Sequence, residues 1–252
     1  MEASTTKLRF NKANDQAKLG RIAEWYGCQV CVYNFSLPSG HACPFADECL
    51  SKADRYDGHI TDGPNTTFRC FSASDEARHP SVRQQRWYNF QLLRQCKTKA
   101  EMVALILDSL PARFDIMRVH IGGDFYNQMY FEAWLEVARL KPGQTFYAYT
   151  KSIPYWIANI GNIPDNFVLN ASRGGRMDAM IDEADLKVAE VVFSLDEADT
   201  KGLEIDHDER HAIQDTGNFA LLIHGTQPKG STAAAAKRDL SRNGVEHSYS
   251  RK

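Results

Sequence analysis

The chain from residue 116 onward alternates short apolar runs with amphipathic stretches. The runs predict strands at residues 116–121, 145–150, 167–170, 188–194 and 219–223. The stretches between them predict helices at residues 128–140, 154–160, 177–186 and 209–214. Repeated strand–helix–strand units imply parallel strands joined by right-handed crossovers.

An earlier stretch, Trp25–Leu37, alternates apolar and polar residues in its second half and predicts the first strand, which ends at Pro38. Two helices follow later. Ser74 begins the first, which runs to Leu93 with Pro80 as a candidate for an early break, and Thr98 caps the second. The fold predicted is α/β, an open or partial parallel βα barrel of about six strands.

Residues 41–71, which we call the cysteine loop, form an irregular insertion after the first strand. Turn-forming residues dominate this segment, and a stretch of that length without periodicity is unusual unless it is functional or held by something other than a core.

We expect an N-terminal arm at residues 1–24, one α/β domain at 25–230, and a C-terminal helix with a basic tail at 231–252.

Composition narrows the class of protein. Hydrophobic residues make up 43% of the 252 and charged residues 25%, values that exclude a globally disordered chain. A net charge of −2 provides no overall basic field for nucleic acid. The first 19 residues lack an apolar signal core and no run is long enough to span a membrane, so we expect a cytoplasmic protein with no membrane partner. The oligomeric state stays open.

One local cluster of basic residues could still bind nucleic acid. Basic residues gather near the C-terminal end of the chain: Lys229, Lys237, Arg238, Arg242, Arg251 and Lys252. They form either a solvated helix and tail or a patch that binds phosphates.

Polar or small residues follow every predicted strand. Parallel βα folds bind ligands at the carboxyl ends of their strands, so a common site at this edge is expected. The strand ends are Asn34–Ser36, Gly122–Asp124, Tyr149–Ser152, Asn170–Gly175, Ser194 and His224–Gln227. Asp124 there either accepts a ligand's amino group or caps the next helix. Lys151 either meets a carboxylate or phosphate or extends to solvent.

Six cysteines in a cytoplasmic chain are expected to be free thiols or metal ligands. Four sulfurs would suit structural zinc, and three would suit a [4Fe–4S] cluster with one open iron. Cys28 and Cys31 lie on a predicted strand and face opposite sides, so they chelate poorly. We therefore favour Cys43, Cys49 and Cys70, all on irregular chain. Cys96 is interpreted as a core residue.

Several motifs together resemble a phage and prophage family known as gene product eighty-eight, over roughly residues 35–230. The matching motifs are Cys43–Leu50, Asp62–Pro64, Phe68–Phe71, Val119–Phe125 and Phe146–Ser152. The resemblance implies a phage protein, located in the host cytoplasm, and implies no activity.

The layout is more distantly similar to radical S-adenosylmethionine enzymes. That likeness implies a [4Fe–4S] cluster on Cys43, Cys49 and Cys70, and a cofactor amino group near Gly122, Gly123 and Asp124. Further cofactor contacts are implied at the later strand ends, namely Lys151, Ser152, Asn170 and Ser172. The cysteine spacing departs from the compact motif of that superfamily, with gaps of five and twenty residues.

The favoured hypothesis is a phage iron–sulfur protein of this type, binding S-adenosylmethionine and acting on an unknown, nucleotide-related substrate. It requires the cysteine loop to lie over Asp124. The alternative is a non-enzymatic, zinc-stapled module that binds nucleic acid or a host protein. A hydrolase using Asp124 with His120 or His224 is a weaker third reading, because no nucleophile motif accompanies these residues.

Overall fold

The structure is a computed structural model that describes residues 6–14, 18–27, 29–214 and 216–247. Cys28, expected on the first strand, and residues 248–252 of the expected basic tail lie outside the described residues. The strands are β1 (Asn11–Lys12), β2 (Val32–Asn34), β3 (Ser51–Ala53), β4 (Ile60–Asp62), β5 (Ile116–Val119), β6 (Thr145–Thr150), β7 (Phe167–Ser172), β8 (Val188–Val192), β9 (Glu204–Ile205) and β10 (Phe219–Leu222).

Eight strands form one mostly parallel sheet in the order β1-β2-β5-β6-β7-β8-β10-β9. Strand β1 pairs antiparallel with β2, and the remaining pairs are parallel. Within the described chain β1 and β9 are the two edges, so the sheet is open. The mixed α/β class is confirmed, and all six predicted strands are present. The other two strands of this sheet, β1 and β9, are two residues long and leave no periodic signal. Strands β3 and β4 were not predicted either; they form a separate antiparallel pair inside the cysteine loop, which is therefore not irregular throughout.

The helices are α1 (Ile22–Tyr26), α2 (Phe71–Arg78), α3 (Pro80–Gln95), α4 (Lys99–Ser109), α5 (Gln128–Arg139), α6 (Ile153–Ile157), α7 (Asp178–Glu183), α8 (Leu195–Thr200), α9 (Arg210–Ile213) and α10 (Thr232–Arg242). The predicted first strand is too long at both ends. Its first residues belong to the end of α1, which Gly27 terminates with φ 141°, and β2 stops at Asn34, before Pro38. Pro80 begins α3, because extended His79 separates it from α2. None of the helices in the described residues is long and apolar enough to cross a membrane.

The two faces of the sheet differ. On the outer face Met117, Val119 and Phe146 pack against α4 and α5 in the largest apolar core. On the inner face Ile116 and Tyr147 belong to a second, smaller cluster. The members of that cluster from outside the strands include Leu19, Ile22, Ala212 and Ile213. Neighbouring residues of one strand therefore serve different environments, as the alternation of a strand requires.

Helices α2 and α3 hold the cysteine loop. Glu76, fully buried, accepts hydrogen bonds from the Ser39 backbone N–H at 2.8 Å and from Arg86 at 2.7 Å. Arg83 donates to the backbone carbonyls of Arg55 and Tyr56 at 3.2 and 3.1 Å. Charged groups take the place of a core here, and buried charges are tolerated when they are paired and hydrogen-bonded.

Candidate functional site

A cavity of about 850 Å³ lies along the inner face and the carboxyl edge of the sheet. Eight of the ten residues assigned to the site from the sequence line it: Cys43, Cys49, Cys70, Gly122, Gly123, Asp124, Lys151 and Ser172. The other two are buried beside it. Ser152 donates to the Phe125 carbonyl at 2.8 Å, and Asn170 donates to the carbonyls of Ala148 and Ala212. These two side chains hold the edge together.

The glycine pair permits close approach of neighbouring chain. A Cβ on Gly122 would stand 2.1 Å from the Ser72 Oγ, and a Cβ on Gly123 would stand 2.6 Å from the Leu37 Cβ. Gly123 also has φ +82°, a conformation that side chains rarely adopt. The Leu37 backbone N–H donates to the Gly122 carbonyl at 2.8 Å. The glycines thus bring the chain before the cysteine loop against the end of β5.

Asp124 joins three pieces of this edge. Its Oδ1 accepts hydrogen bonds from the Thr150 hydroxyl at 2.6 Å and the Phe125 N–H at 2.7 Å. Its Oδ2 accepts from the Lys151 N–H at 2.8 Å, and its own N–H donates to the Ala42 carbonyl at 3.2 Å. The alternative role as a helix cap is wrong, because Asn127 caps α5. Contact with a ligand's amino group stays a prediction.

Burial raises the pKa of Asp124 to about 6, and its three hydrogen bonds and nearby Lys151 offset part of that rise. Lys151 itself is buried. Its Nζ donates to the Ser172 carbonyl and hydroxyl at 2.9 Å each, and to the Arg173 carbonyl at 2.5 Å. The reading in which Lys151 extends to solvent is therefore wrong. All three ammonium hydrogens have acceptors on the end of β7 and the residue after it.

The three favoured thiols are close enough to influence one another. Burial, followed by the charge of Asp124 and then that of Cys70, raises the pKa of Cys43. Burial, and then the charge of Cys49, raises the pKa of Cys70 to about 11. Cys43 Sγ accepts the Gly40 N–H at 3.2 Å, and Cys70 receives the backbone N–H groups of α2. Such donors stabilise a thiolate.

No group of three or more His, Cys, Asp or Glu side chains within the described ranges has a metal-holding arrangement. Cys31 and Cys96 are free thiols outside the cavity lining. Cys96 packs partly buried against the outer core, as predicted.

A buried ionic cluster on the inner face escaped the sequence reasoning. Glu209 Oε1 contacts Lys18 Nζ at 3.1 Å and an Arg118 amino nitrogen at 2.9 Å. Its Oε2 accepts the Tyr149 hydroxyl at 3.3 Å. We call these four side chains the Glu209 cluster. Arg118 is visible in the sequence as a charge inside an apolar strand, but its partner lies 91 residues away and carries no local signal.

Burial and the neighbouring charges shift the pKa values in this cluster in opposite directions. Burial alone would raise the pKa of Glu209, but Arg118 and Lys18 outweigh it and lower the pKa to about 2. Burial would likewise lower the pKa of Arg118, but the Glu209 carboxylate reverses the direction. Glu209 adopts φ 65°, which is uncommon outside glycine and marks a position that its surroundings hold in place.

Two histidines line the same cavity in neutral form. Burial lowers the pKa of His120 to about 3 and that of His224 to about 4. His120 Nε2 bonds to the Tyr130 hydroxyl at 2.9 Å, and its Nδ1 has no partner among the described residues. Neither histidine is among the partners of the Asp124 carboxylate, so the acid–histidine pair of the hydrolase reading is not formed.

Among the comparisons with known proteins, one found a match. A sequence model of the family described as Gene product 88 matches residues 3–243. No curated protein and no solved structure matches the chain.

Proposed function

Since the chain belongs to the Gene product 88 family, whose description states no activity, we propose its function from the cavity: an iron–sulfur protein of the radical S-adenosylmethionine type. In this proposal the open sheet is a partial βα barrel, and the cysteine loop is the insertion after its first parallel strand. Cys43, Cys49 and Cys70 would hold a [4Fe–4S] cluster. The substrate would be nucleotide-related.

One observation carries the proposal. Three cysteines separated by five and twenty residues line the same cavity as Gly122, Gly123 and Asp124. A structural staple would need no opening onto a cavity, and a ligand pocket would need no thiols. Their coincidence at the carboxyl edge of a parallel sheet favours a metal group that works on a bound molecule.

As placed, the three thiols among the described residues are not arranged to hold a metal, so they would have to move closer together to bind a cluster. Their surroundings nevertheless support the proposal. Cys43 and Cys70 already accept backbone N–H groups, and hydrogen bonds of this kind adjust the reduction potential of a cluster. Their raised pKa values mean that the thiols are protonated without metal, so binding would release protons. When bound, the cluster would supply one electron to S-adenosylmethionine.

The other residues of the cavity would bind the cofactor and orient it. The polar edge from Gly122 to Asp124, after β5, would face the methionine end of the cofactor. Ser172, at the end of β7, would add a hydroxyl group. Lys151 would keep that end of β7 in place through its three hydrogen bonds. The apolar part of the lining, which includes Leu221 and Ile223, would limit water around the reacting atoms.

Anaerobic purification with iron, sulfide and visible absorbance measurements tests the proposal. We expect roughly four irons and four sulfides per chain, as the cluster stoichiometry requires. Cys43→Ser, Cys49→Ser and Cys70→Ser should each lose most of the iron. Cys96→Ser is the matched control, because Cys96 lies outside the cavity, and it should retain full iron content.

The alternative predicts a different result from the same preparations. A colourless protein with one zinc per chain, lost in the same three variants, would replace the proposal with the zinc-stapled module. That module would bind nucleic acid or a host protein, with the basic C-terminal region as the contact. Salt-dependent DNA binding that disappears on removal of residues 229–252 would then support it. A protein with neither metal would contradict both.

A further inference from the structure

Two side-chain nitrogen donors on neighbouring strands of the inner face have no acceptor among the described residues. Asn34 of β2 pairs in register with Arg118 of β5, so both side chains project to the same side of the sheet. Both line the cavity. Asn34 is 2% exposed, and its Nδ2 has no partner in the described structure; the same holds for Arg118 Nε.

The Glu209 cluster fixes the direction of the Arg118 side chain. One terminal nitrogen of the guanidinium bonds to Glu209, and the guanidinium carbon lies 4.8 Å from the centre of the Tyr149 ring. The guanidinium is therefore held from two sides while its Nε edge stays without an acceptor. Asp206, the other nearby carboxylate, accepts the backbone N–H groups of Asp208 and Ala212 at 3.1 and 3.3 Å.

Buried donors without acceptors are costly, because folding removes their hydrogen bonds to water. Native proteins keep such groups where a ligand or ordered water completes them. An arginine nitrogen and an amide nitrogen on neighbouring strands match the adjacent oxygens of an anionic group. Arg118 also precedes Gly122 by four residues, so these donors lie deeper in the cavity than the strand-end residues.

We propose that Asn34 and Arg118 form a subsite for the anionic oxygens of a ligand, a phosphate or a carboxylate, bound deep in the cavity. The subsite contains no thiol and stands independently of the proposed cluster. If the cluster is present as well, the subsite identifies the second molecule in the cavity as one that carries such a group. Glu209 contributes by orienting Arg118 and is a positioning residue.

Inorganic phosphate and acetate serve as the probes, each titrated into the intact protein with thermal unfolding as the readout. Sodium chloride at matched ionic strength corrects for screening. We expect at least one of the two anions to raise the unfolding temperature saturably. A response to phosphate alone identifies a phosphoryl ligand, and a response to acetate alone identifies a carboxylate.

Asn34→Asp keeps the shape of the side chain and replaces donors with a negative charge, so it should weaken anion binding at least tenfold. The double variant Arg118→Met with Glu209→Gln removes the charge pair together and should abolish the response. The matched control is Arg242→Met with Asp239→Asn, which removes an exposed ion pair on α10 and should leave binding unchanged.

The inference is overturned if neither anion stabilises the protein beyond sodium chloride, or if both cavity variants respond as the wild type does. Circular dichroism identifies a variant that has not folded, and the other cavity variant then decides the result. Iron content measured on the same preparations keeps this outcome separate from the cluster proposal. Loss of anion binding with iron retained supports the subsite alone.

Discussion

The two faces of the sheet are built from the same strands but have opposite characters. On the outer face Phe146 is fully buried among Phe114, Trp134 and Phe167, with ring centres 5.8 to 6.3 Å apart. On the inner face the same region of the sheet presents the polar side chains of Asn34, Arg118 and Tyr149 to a cavity. Apolar packing accounts for the first face. The second face carries groups that packing does not require, and such groups indicate function.

The largest effect is expected where the outer face is disrupted. Phe146→Ala removes a fully buried ring and should lower the free energy of unfolding by about 3–5 kcal/mol. Leu221→Ala, on the cavity side, should cost distinctly less because its side chain already borders open space. Urea denaturation measures both. Equal losses would mean that the two faces are packed alike.

The ionised Glu209 on the inner face should make the stability of the protein depend on pH. The pKa of Glu209 is lowered from 4.5 to about 2, so its contribution is present above pH 4.5 and is lost as the pH falls towards 2. The loss amounts to about 3 kcal/mol. Glu209→Gln should therefore be less stable than the wild type near pH 6, and the difference should vanish by about pH 2.

The pH comparison uses the difference between the two proteins because other groups titrate in the same range. His120 and His224, with lowered pKa values, also reduce stability as the pH falls, but they do so in both proteins. Denaturation curves collected from pH 6 to pH 2 give the difference. A constant gap across that range would contradict the assigned role of Glu209.

The edge where the two faces meet depends on glycine. Gly123→Ala forces a side chain into φ +82° and into contact with Leu37, and should cost about 2 kcal/mol of unfolding free energy. Gly143→Ala is the matched control, because a Cβ there meets nothing within 4 Å. A neutral Gly123→Ala would show that Leu37 moves freely, and the cysteine loop would then be less firmly placed than the hydrogen bonds indicate.

The smallest effect concerns a helix that covers the outer face. Thr98 and Glu101 form a reciprocal capping box at the start of α4. Thr98→Ala should cost about 1 kcal/mol by equilibrium denaturation. Lys99→Ala, one residue along and exposed, should change the stability by much less. If the two variants behave alike, the cap contributes nothing beyond helix propensity.

Much of the parallel sheet could be predicted because each of its longer strands is an apolar run with a clear beginning and end. The rule that parallel strands place their carboxyl ends at one edge was enough to bring Asp124, Lys151 and Ser172 to one cavity. The position of the cysteine loop beside them was a requirement of the hypothesis and did not follow from the rule. The strands β1 and β9 were not predicted, because two residues are too few to form a recognisable apolar run.

The anchoring of the cysteine loop and the Glu209 cluster could not be predicted, because both depend on contacts between residues far apart in the sequence. A helix was expected around Arg83 and Arg86, but nothing local indicates that these arginines turn inward to hold the cysteine loop. Glu209 lies at the start of a four-residue helix, and its partners come from β5 and from the N-terminal region. Polar contacts across 91 residues and more have no periodicity, so a single sequence does not reveal them.

The arginines that hold the cysteine loop have a consequence for biosynthesis. During translation the segment with Cys43, Cys49 and Cys70 leaves the ribosome before Arg83 and Arg86 do, and domains form from the N-terminal side as the chain emerges. Until α3 has followed, the loop lacks the groups that anchor it, and its thiols are accessible to oxidants. Protection of these thiols in a growing chain therefore falls to the reductants of the cell.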